Sequence, residues 1–357
     1  MRRRALLVAF TAAFVLALGA GPALACGGLV SPNGSIQLVR TTTLAAYHKG
    51  LEHYVTGFKF VGGGAEFGSI VPLPAIPSKL IRGGDWTLQR LEIEVQPPVR
   101  EAGSADTAAP SASPSAQVIL EKDIDSLHLT VLKGGGFSVG KWAADHGFVL
   151  PPDAPEVLDF YANRSPIFMA VQFDAKKAAQ RGESIGDAIP IHLVIPTNRP
   201  WVPLRILGLG AGGSQQIEAD VFLLTDERPN ILPVPVGGTG LGPREAGLKL
   251  ARSQSASSGL LADLRSDRGM QWLPSRGMWL SFLTLDTAAR DLTYDLALNV
   301  RGGAPSPVDA GLSSREVPVA TSGSAGLVWA LAAAVALLGT MVVVAARERR
   351  GGGRIAV

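Results

Sequence analysis

The chain has 357 residues, of which 46% are apolar and 18% charged, with 42 glycines, 25 prolines and a single cysteine. This length accommodates one large or two modest domains with a hydrophobic core, and a single cysteine excludes an intramolecular disulfide framework and a cysteine-rich zinc or iron–sulfur site. The formal net charge is +3, and what this basic balance means depends on where the charges lie.

The N-terminus carries the three parts of a secretory signal peptide. Arginines occupy residues 2–4, an uncharged apolar run follows, and the run closes with the small-residue cleavage site Ala23-Leu24-Ala25. The flanking arginines and Pro22 weigh against a buried core helix. We therefore predict a signal peptide over residues 1–25, with Ala25 and Cys26 as the processing residues.

Cleavage after Ala25 leaves Cys26 as the first residue of the mature chain. Three interpretations of Cys26 stay open, namely lipidation, a disulfide bond to another chain, and an unpaired thiol near a terminus. Ala23 stands where a lipoprotein signal usually has leucine, which disfavours lipidation. The unpaired thiol is the interpretation we favour.

The C-terminal region contains an uncharged run of 21 residues from Gly326 to Ala346. About 20 apolar residues in a helix cross the hydrocarbon layer of a bilayer, so we predict a transmembrane helix at residues 325–346. The tail 347–357 contains four arginines and one glutamate. By the positive-inside rule this basic tail is cytoplasmic and the larger N-terminal part is outside, which predicts a single-pass protein of the cell membrane.

The charge of the predicted external part differs from that of the whole chain. The signal peptide contains three arginines and no acidic residue, and residues 325–357 contain four arginines and one glutamate. The remaining residues, 26–324, then carry 26 basic and 29 acidic side chains. A mildly acidic domain offers no basic patch, so we predict no nucleic-acid partner.

The external part, residues 26–301, is predicted to be one α+β domain that is rich in antiparallel strands and has a few short helices. Alternation of apolar and polar residues predicts a strand at Leu51–Val61, a second at Phe67–Leu73 after a glycine turn, and a third at Trp86–Val95. Later predicted strands are Val118–Leu120, Leu127–Leu132, Ile167–Phe173, Pro190–Val194, Ala219–Leu224, Met278–Leu285 and Leu292–Val300. Predicted helices are Val139–His146, Ala154–Ala162, Ala175–Arg181 and Gly259–Asp267.

Two segments have a composition that does not favour folding. Residues 102–117 are rich in alanine and serine, which predicts a disordered insertion in the domain. Residues 302–324 are rich in glycine, proline and serine, which predicts a flexible stalk between the domain and the membrane.

One glycine-rich segment matches a dinucleotide-binding pattern. Gly208–Gly213 reads G-x-G-x-x-G and follows an apolar stretch. That fingerprint needs a helix after the glycines, because the helix N-terminus binds the pyrophosphate. Here four residues, Ser214–Ile217, lead instead to a predicted strand, so we predict no nicotinamide cofactor.

Ser138 lies in a match to the G-x-S-x-G nucleophile pattern, at Gly136–Gly140. A second match at Gly182–Gly186 shows how little this pattern specifies in a glycine-rich chain. A hydrolase of this class needs a later histidine, and neither His146 nor His192 leaves room for the usual scaffold between them. We interpret the motif as a glycine-rich loop and predict no catalytic residue.

The five histidines do not form a predicted set of metal ligands. His48 and His53 are five residues apart, which places them on opposite faces of a single strand. Glu121, Asp123 and Asp125 have oxygen ligands for a cation, but a solvated acidic turn explains them better. The sequence therefore predicts no metal and no cofactor.

Several segments resemble the bacterial domain of unknown function 2330 family. They are Ala25–Gly28 at the end of the signal peptide, residues 47–77 with the Val-Pro-Leu-Pro-Ala-Ile-Pro turn, residues 127–174 with Trp142 and Tyr161, and residues 189–206. The resemblance covers most of 26–300 in pieces. It implies an exported, membrane-associated bacterial protein and brings no catalytic residues.

These observations favour one function over another. The preferred prediction is a non-enzymatic binding or scaffold module that is tethered to the membrane and contacts an envelope protein or a cell-wall component. The alternative is an envelope hydrolase with an unrecognised site, for which Ser138 and His146 are the candidates. The two differ in whether a nucleophile, a histidine and a carboxylate meet in the folded chain.

Overall fold

A computed structural model describes residues 29–30, 37–61, 67–95, 116–182 and 189–312, which form sixteen β-strands and five α-helices. The strands are β1 (Leu29–Val30), β2 (Gln37–His48), β3 (Leu51–Val61), β4 (Phe67–Leu73), β5 (Lys79–Arg82), β6 (Gln117–Ile124), β7 (Leu127–Lys133), β8 (Ile167–Phe173), β9 (Ile191–Pro196), β10 (Trp201–Val202), β11 (Gln216–Thr225), β12 (Asn230–Leu232), β13 (Val234–Val236), β14 (Arg244–Ser255), β15 (Trp279–Ala288) and β16 (Leu296–Asn299). The helices are α1 (Thr87–Val95), α2 (Gly136–Asp145), α3 (Ala154–Ala162), α4 (Ala175–Arg181) and α5 (Ser258–Ser266).

The strands form three sheets in which most neighbours are antiparallel. The largest sheet has the order β13-β14-β15-β11-β2-β3-β9-β5, with parallel pairing in β13–β14 and β11–β2. A five-stranded sheet has the order β1-β4-β8-β7-β6, and a three-stranded sheet the order β10-β16-β12. The fold is therefore β-rich α+β, as the sequence predicted.

The central strands of the eight-stranded sheet are buried on both faces, whereas β14 is exposed or half-buried along most of its length. In β11, Val221 and Leu223 point into a large core that includes the five-stranded sheet, whereas Phe222 and Leu224 point into a smaller core on the other side. Successive side chains of a strand face opposite ways, so a strand that is covered on both sides is apolar without alternation. This explains the continuous run of apolar residues in β11.

The helices divide between these two cores. Helices α2 and α3 pack on the large core, where Trp142 and Tyr161 are among the largest fully buried side chains. Helices α1 and α5 cover the smaller core through Leu91 and Leu264. The two helix pairs therefore lie on opposite sides of the eight-stranded sheet.

The segment Trp86–Val95 was predicted to be a strand, and this prediction is wrong: residues 87–95 form helix α1. Only Thr87 and Leu91 of the helix are buried, which is a spacing of one helical turn, while Ile93 is 71% exposed. The helix is favoured by contacts from far along the chain. Asp267 accepts hydrogen bonds from the backbone N–H of Trp86 and the hydroxyl of Thr87, and so caps the helix N-terminus.

The other predicted elements occur in the structure, some with changed boundaries, and the predicted strand Leu292–Val300 is shortened to β16. The strands Leu51–Val61, Phe67–Leu73 and Ile167–Phe173 and the helices Ala154–Ala162 and Ala175–Arg181 have the predicted bounds. The long strands β2 and β14 were not predicted. Although β3 and β4 follow each other closely, they belong to different sheets and do not pair.

Part of the predicted stalk belongs to the folded domain. Residues 302–312 have the composition of a linker, yet Ala310 and Leu312 are buried in the large core, and Asp309 pairs with Arg199. The backbone carbonyl of Ala310 accepts a hydrogen bond from the backbone N–H of Asp295, which connects this segment to the start of β16. Residues 313–324 lie outside the described part of the chain.

The remaining predictions about segments also fall outside it. These are the signal peptide 1–25 with Cys26, most of the insertion 102–117, the membrane segment 325–346 and the tail 347–357. Among the helices that the structure describes, none combines the length and the apolar character needed to cross a membrane.

Candidate functional site

The hairpin of β2 and β3 brings two histidines to one face of the eight-stranded sheet. Lys49 and Gly50 form its turn, with φ angles of +50° and +84° that match the twist of a two-residue hairpin. The register pairs Ala46 with His53 and His48 with Leu51. The prediction that His48 and His53 lie on opposite faces is therefore wrong, because the chain reverses direction between them.

A third histidine comes from β9, the neighbour of β3. His192 is opposite Val55, which makes it a diagonal neighbour of His53 on the same face. Nδ1 of His53 lies 3.0 Å from Nε2 of His192, so one imidazole donates a hydrogen bond to the other. Both side chains are buried, with 5% and 1% of their residue surfaces exposed.

Trp272 covers this pair from the segment after α5. Its ring is stacked on His53 with a centroid distance of 3.5 Å and an interplanar angle of 11°. Gly269 of the same segment approaches His192 so closely that a Cβ there would lie 3.1 Å from Nδ1. That Nδ1 atom is buried and has no hydrogen-bond partner. The two histidines therefore lie in a closed site between the sheet and this segment.

The closed site stabilises the neutral form of both imidazoles. Burial lowers the pKa of His53 to about 3, with further lowering from His192, His48 and Lys79. Burial, with a smaller effect of Lys79, lowers the pKa of His192 to about 4. Charging a group without solvent or a counter-ion is unfavourable, so both histidines are uncharged at neutral pH.

His48 lies at the edge of the same site and contacts a carboxylate. Its Nδ1 lies 2.5 Å from Oδ1 of Asp226, which follows β11, and the backbone N–H of Lys49 donates to Oδ2 at 3.3 Å. A histidine with a carboxylate is half of a nucleophile-activating set. Within the described residues no hydroxyl or thiol is hydrogen-bonded to His48.

The sequence matches one known protein family. The sequence model of one family, described as "Uncharacterized protein conserved in bacteria (DUF2330)", matches residues 20–230, more than half of the chain. The chain belongs to the DUF2330 family. The match includes His48, His53 and His192, whereas Trp272 lies C-terminal to it. The residue that covers the histidine pair is thus outside the DUF2330 match.

No curated protein sequence matches the chain. Among solved structures, the crystal structure of baculovirus P35 shares 11% identity, covers 75% of this chain and 98% of its own, and has a TM-score of 0.38. A mutated baculovirus P35 after caspase cleavage shares 10% identity, covers 73% of this chain and 99% of its own, and has a TM-score of 0.37. Likeness at this level carries no argument about the DUF2330 chain.

The serine and histidine of the hydrolase alternative lie on one helix of the DUF2330 domain. Ser138 is in the first turn of α2 and His146 follows its last turn, so a rise of 1.5 Å per residue separates them by about 12 Å along the axis. His146 stacks on Trp142 and contacts the carbonyl oxygen of Trp142 through Nδ1 at 2.7 Å. His192 lies on the opposite side of the eight-stranded sheet from α2. Neither histidine is therefore a base for Ser138.

The other motifs considered from the sequence have structural roles in the DUF2330 domain. Gly208 ends a short 3-10 helix, and the chain then turns into β11 with no helix between them. Asp123 pairs with Lys177 and His128, and Asp125 with Arg82 and Arg181. Within the described ranges, no three histidine, cysteine or acidic side chains are grouped so that they could bind a metal ion.

Sequence reasoning missed Glu52, which the structure buries completely in the large core. Neither carboxyl oxygen has a hydrogen-bond partner, and burial raises the pKa of Glu52 to about 8. A signal was present in the sequence, because Glu52 lies two residues before the aromatic Tyr54 and so shares its face of the predicted strand. Trp272 had no comparable signal, since its contact with His53 crosses more than 200 residues.

Proposed function

We propose that this DUF2330 chain is a single-pass, membrane-anchored module of the bacterial envelope whose external domain binds a partner and catalyses no reaction. One observation carries the second half of this proposal. The nucleophile and histidine of the hydrolase alternative, Ser138 and His146, are about 12 Å apart along α2, and the buried His53 and His192 are hydrogen-bonded to each other.

The anchoring is supported by the distribution of charge and apolar residues at the two ends. Three arginines and an apolar run precede Ala25, and an uncharged run of 21 residues precedes a tail with four arginines. Arginines next to an apolar run remain on the cytoplasmic side, so both ends favour an external domain. Its acidic balance favours a protein or cell-wall partner over nucleic acid.

Reporter fusions test the anchoring. Alkaline phosphatase, active only outside the cytoplasm, is fused after residue 316, and a green fluorescent protein, fluorescent only inside, is fused after Val357. We expect both reporters to be active in the same strain background. An inactive phosphatase or a dark fluorescent protein at these positions would contradict the topology.

The absence of catalysis is tested separately on the full-length protein. A fluorophosphonate probe reacts with activated serines, and we expect no labelling of the wild-type chain. Labelling that disappears in Ser138→Ala would establish the hydrolase alternative. Crosslinking in intact cells, followed by capture of the full-length chain, should then recover one reproducible envelope partner, and the same capture from cells without crosslinker is the control.

A further inference from the structure

The segment 267–273, here called the covering segment, lies over the histidine pair and is attached at both of its ends. Asp267 accepts hydrogen bonds from the backbone N–H of Asp85 and Trp86, which lead into α1. Met270 and Leu273 are buried in the smaller core. Trp272 is stacked on His53 between these anchors, so the position of the segment depends on the state of the imidazoles beneath it.

The contact between the imidazoles requires that at least one of them is neutral. Nδ1 of His53 and Nε2 of His192 are 3.0 Å apart, and one of these nitrogens must accept the proton of the other. When both rings are protonated, both nitrogens are donors and the hydrogen bond is lost. In the protonated ring both nitrogens are donors, so Nδ1 of His192 is then an N–H group that is buried against Gly269 without an acceptor.

The charged groups around the pair do not compensate such a charge. Lys79 of β5 lies on the same face and adds a further positive charge. Asp226 is engaged with His48, and Asp267 with the start of α1. Arg268 of the covering segment pairs with Asp85 at 3.5 Å. Glu52, next to His53 in the sequence, points to the opposite face of the sheet.

We propose that the covering segment is an acid-released cover, which leaves the sheet when His53 and His192 take up protons. Release separates Trp272 from His53 and gives both imidazoles access to water, while the eight-stranded sheet remains folded. The inference rests on the proposed function in one respect, because an external domain is exposed to the pH of the surroundings. The device regulates access to this face of the domain.

Hydrogen exchange of the full-length protein in detergent, followed by mass spectrometry, tests the proposal. After correction for the intrinsic exchange rate, protection of residues 267–273 should fall at least about 100-fold between pH 6 and pH 4, because each histidine contributes about tenfold or more. Peptides from β11 are the internal reference and should keep their protection. No fall in the covering segment, or an equal fall in β11, would overturn the proposal.

Two variants separate the histidine pair from other acid effects. His53→Gln removes one titrating ring, and we expect the acid-induced fall in protection of residues 267–273 to be smaller by at least about tenfold. Should this variant not fold, Lys79→Glu changes an exposed side chain and supplies a carboxylate to the charged pair, which should also reduce the fall. His128→Gln, a histidine of β7 on the other sheet, should behave as the wild type.

If residues 267–273 lose as much protection between pH 6 and pH 4 in both His53→Gln and Lys79→Glu as in the wild type, release does not depend on these histidines. The exchange experiment is independent of the membrane topology, since it is performed on purified protein. If acid releases the covering segment but the reporter fusions contradict an external domain, only the proposed function is refuted. If the fusions support an external domain but the covering segment stays protected in acid, only the acid-released cover is refuted.

Discussion

The hydroxyl group of Tyr161 donates a hydrogen bond of 2.8 Å to Oδ1 of Asp295, and this contact joins helix α3 to the residue before β16. The same oxygen accepts from the backbone N–H of Leu204 at 2.6 Å. Oδ2 of Asp295 pairs with Arg164, whose guanidinium lies over the rings of Phe160, Tyr161 and Trp201. A fully buried carboxylate thus connects a helix, a loop and a strand.

Asp295→Asn should lower the free energy of unfolding more than an aspartate-to-asparagine substitution at an exposed position. Removing the carboxylate charge leaves Arg164, with a side chain only 6% exposed, without its counter-ion. Loss of one partner of a buried ion pair costs about 3–5 kcal/mol, which urea unfolding of the full-length protein would measure. Asp286→Asn on the exposed end of β15 is the control, and an equal effect at both positions would contradict the prediction.

Glu52→Gln should change how stability depends on pH. Burial raises the pKa of Glu52 from 4.5 to about 8, so between these values the carboxyl group is neutral in the folded chain and ionised in the unfolded chain. The wild type therefore loses about 1.4 kcal/mol of stability for each pH unit between pH 4.5 and pH 8, and the loss is complete above that range.

The glutamine variant lacks this loss, so its urea-unfolding free energy should rise relative to the wild type by roughly 3 kcal/mol between pH 5 and pH 7. The slope of the unfolding free energy against pH is the quantity to compare, because burying an amide changes this free energy by the same amount at every pH. Glu227→Gln, at an exposed position after β11, should retain the wild-type slope. Parallel pH profiles for Glu52→Gln and the wild type would disprove the interpretation.

Gly84→Ala should destabilise the packing of α1 and α5 on the smaller core. A Cβ at Gly84 would overlap the carboxylate of Asp267, which caps α1. Overpacking of this kind costs about 1–3 kcal/mol, and thermal unfolding should show it as a lower melting temperature. Gly212→Ala is matched to it, since nothing lies within 4 Å of a Cβ there. Equal melting temperatures for the two variants would be the contrary result.

Two threonines that line the same cavity should respond differently to replacement by valine. The cavity measures about 20 Å³ and lies between β2, β3 and β4. The hydroxyl of Thr43 lies 3.1 Å from that of Thr56, whereas the buried hydroxyl of Thr41 has no partner. Thr43→Val should cost about 1 kcal/mol in urea unfolding, and Thr41→Val should be neutral or stabilising.

A cost at Thr41 equal to that at Thr43 would contradict this prediction. It would mean that the hydroxyl of Thr41 is engaged, and a cavity of about 20 Å³ is large enough for one water molecule that could engage it. Since valine has nearly the shape of threonine, neither change alters the packing of the cavity wall.

Much of the secondary structure could be predicted from the sequence, because periodicity is a local property. The bounds of β3 follow from alternation in Leu51–Val61, whereas those of β8 follow from the short apolar run Ile167–Phe173. Helix α1 was missed because Leu91, Ile93 and Val95 alternate like a strand, while the cap that favours the helix comes from Asp267. A contact across 180 residues leaves no periodic signal.

The candidate site was harder to predict than the fold. The position of Glu52 on the apolar face of β3 could have been noticed because it is two residues from Tyr54, and such residues face the same side of a strand. The pairing of His48 with Asp226 could not, because it depends on β2 and β11 being parallel neighbours. The order of strands in a sheet is decided by the packing of the whole domain.

The α+β class and most strand and helix positions could be inferred from the amino-acid sequence, because each depends on residues close together in the chain. The exported, membrane-anchored topology is a prediction of the same local kind. By contrast, the hydrogen bond between His53 and His192 beneath Trp272 joins residues 139 positions apart and is known only from the folded chain. The folded structure also shows that residues 302–312, which have the composition of a linker, belong to the domain. Burial and strand order are properties of the folded chain, and they decide which side chains meet and which remain uncharged.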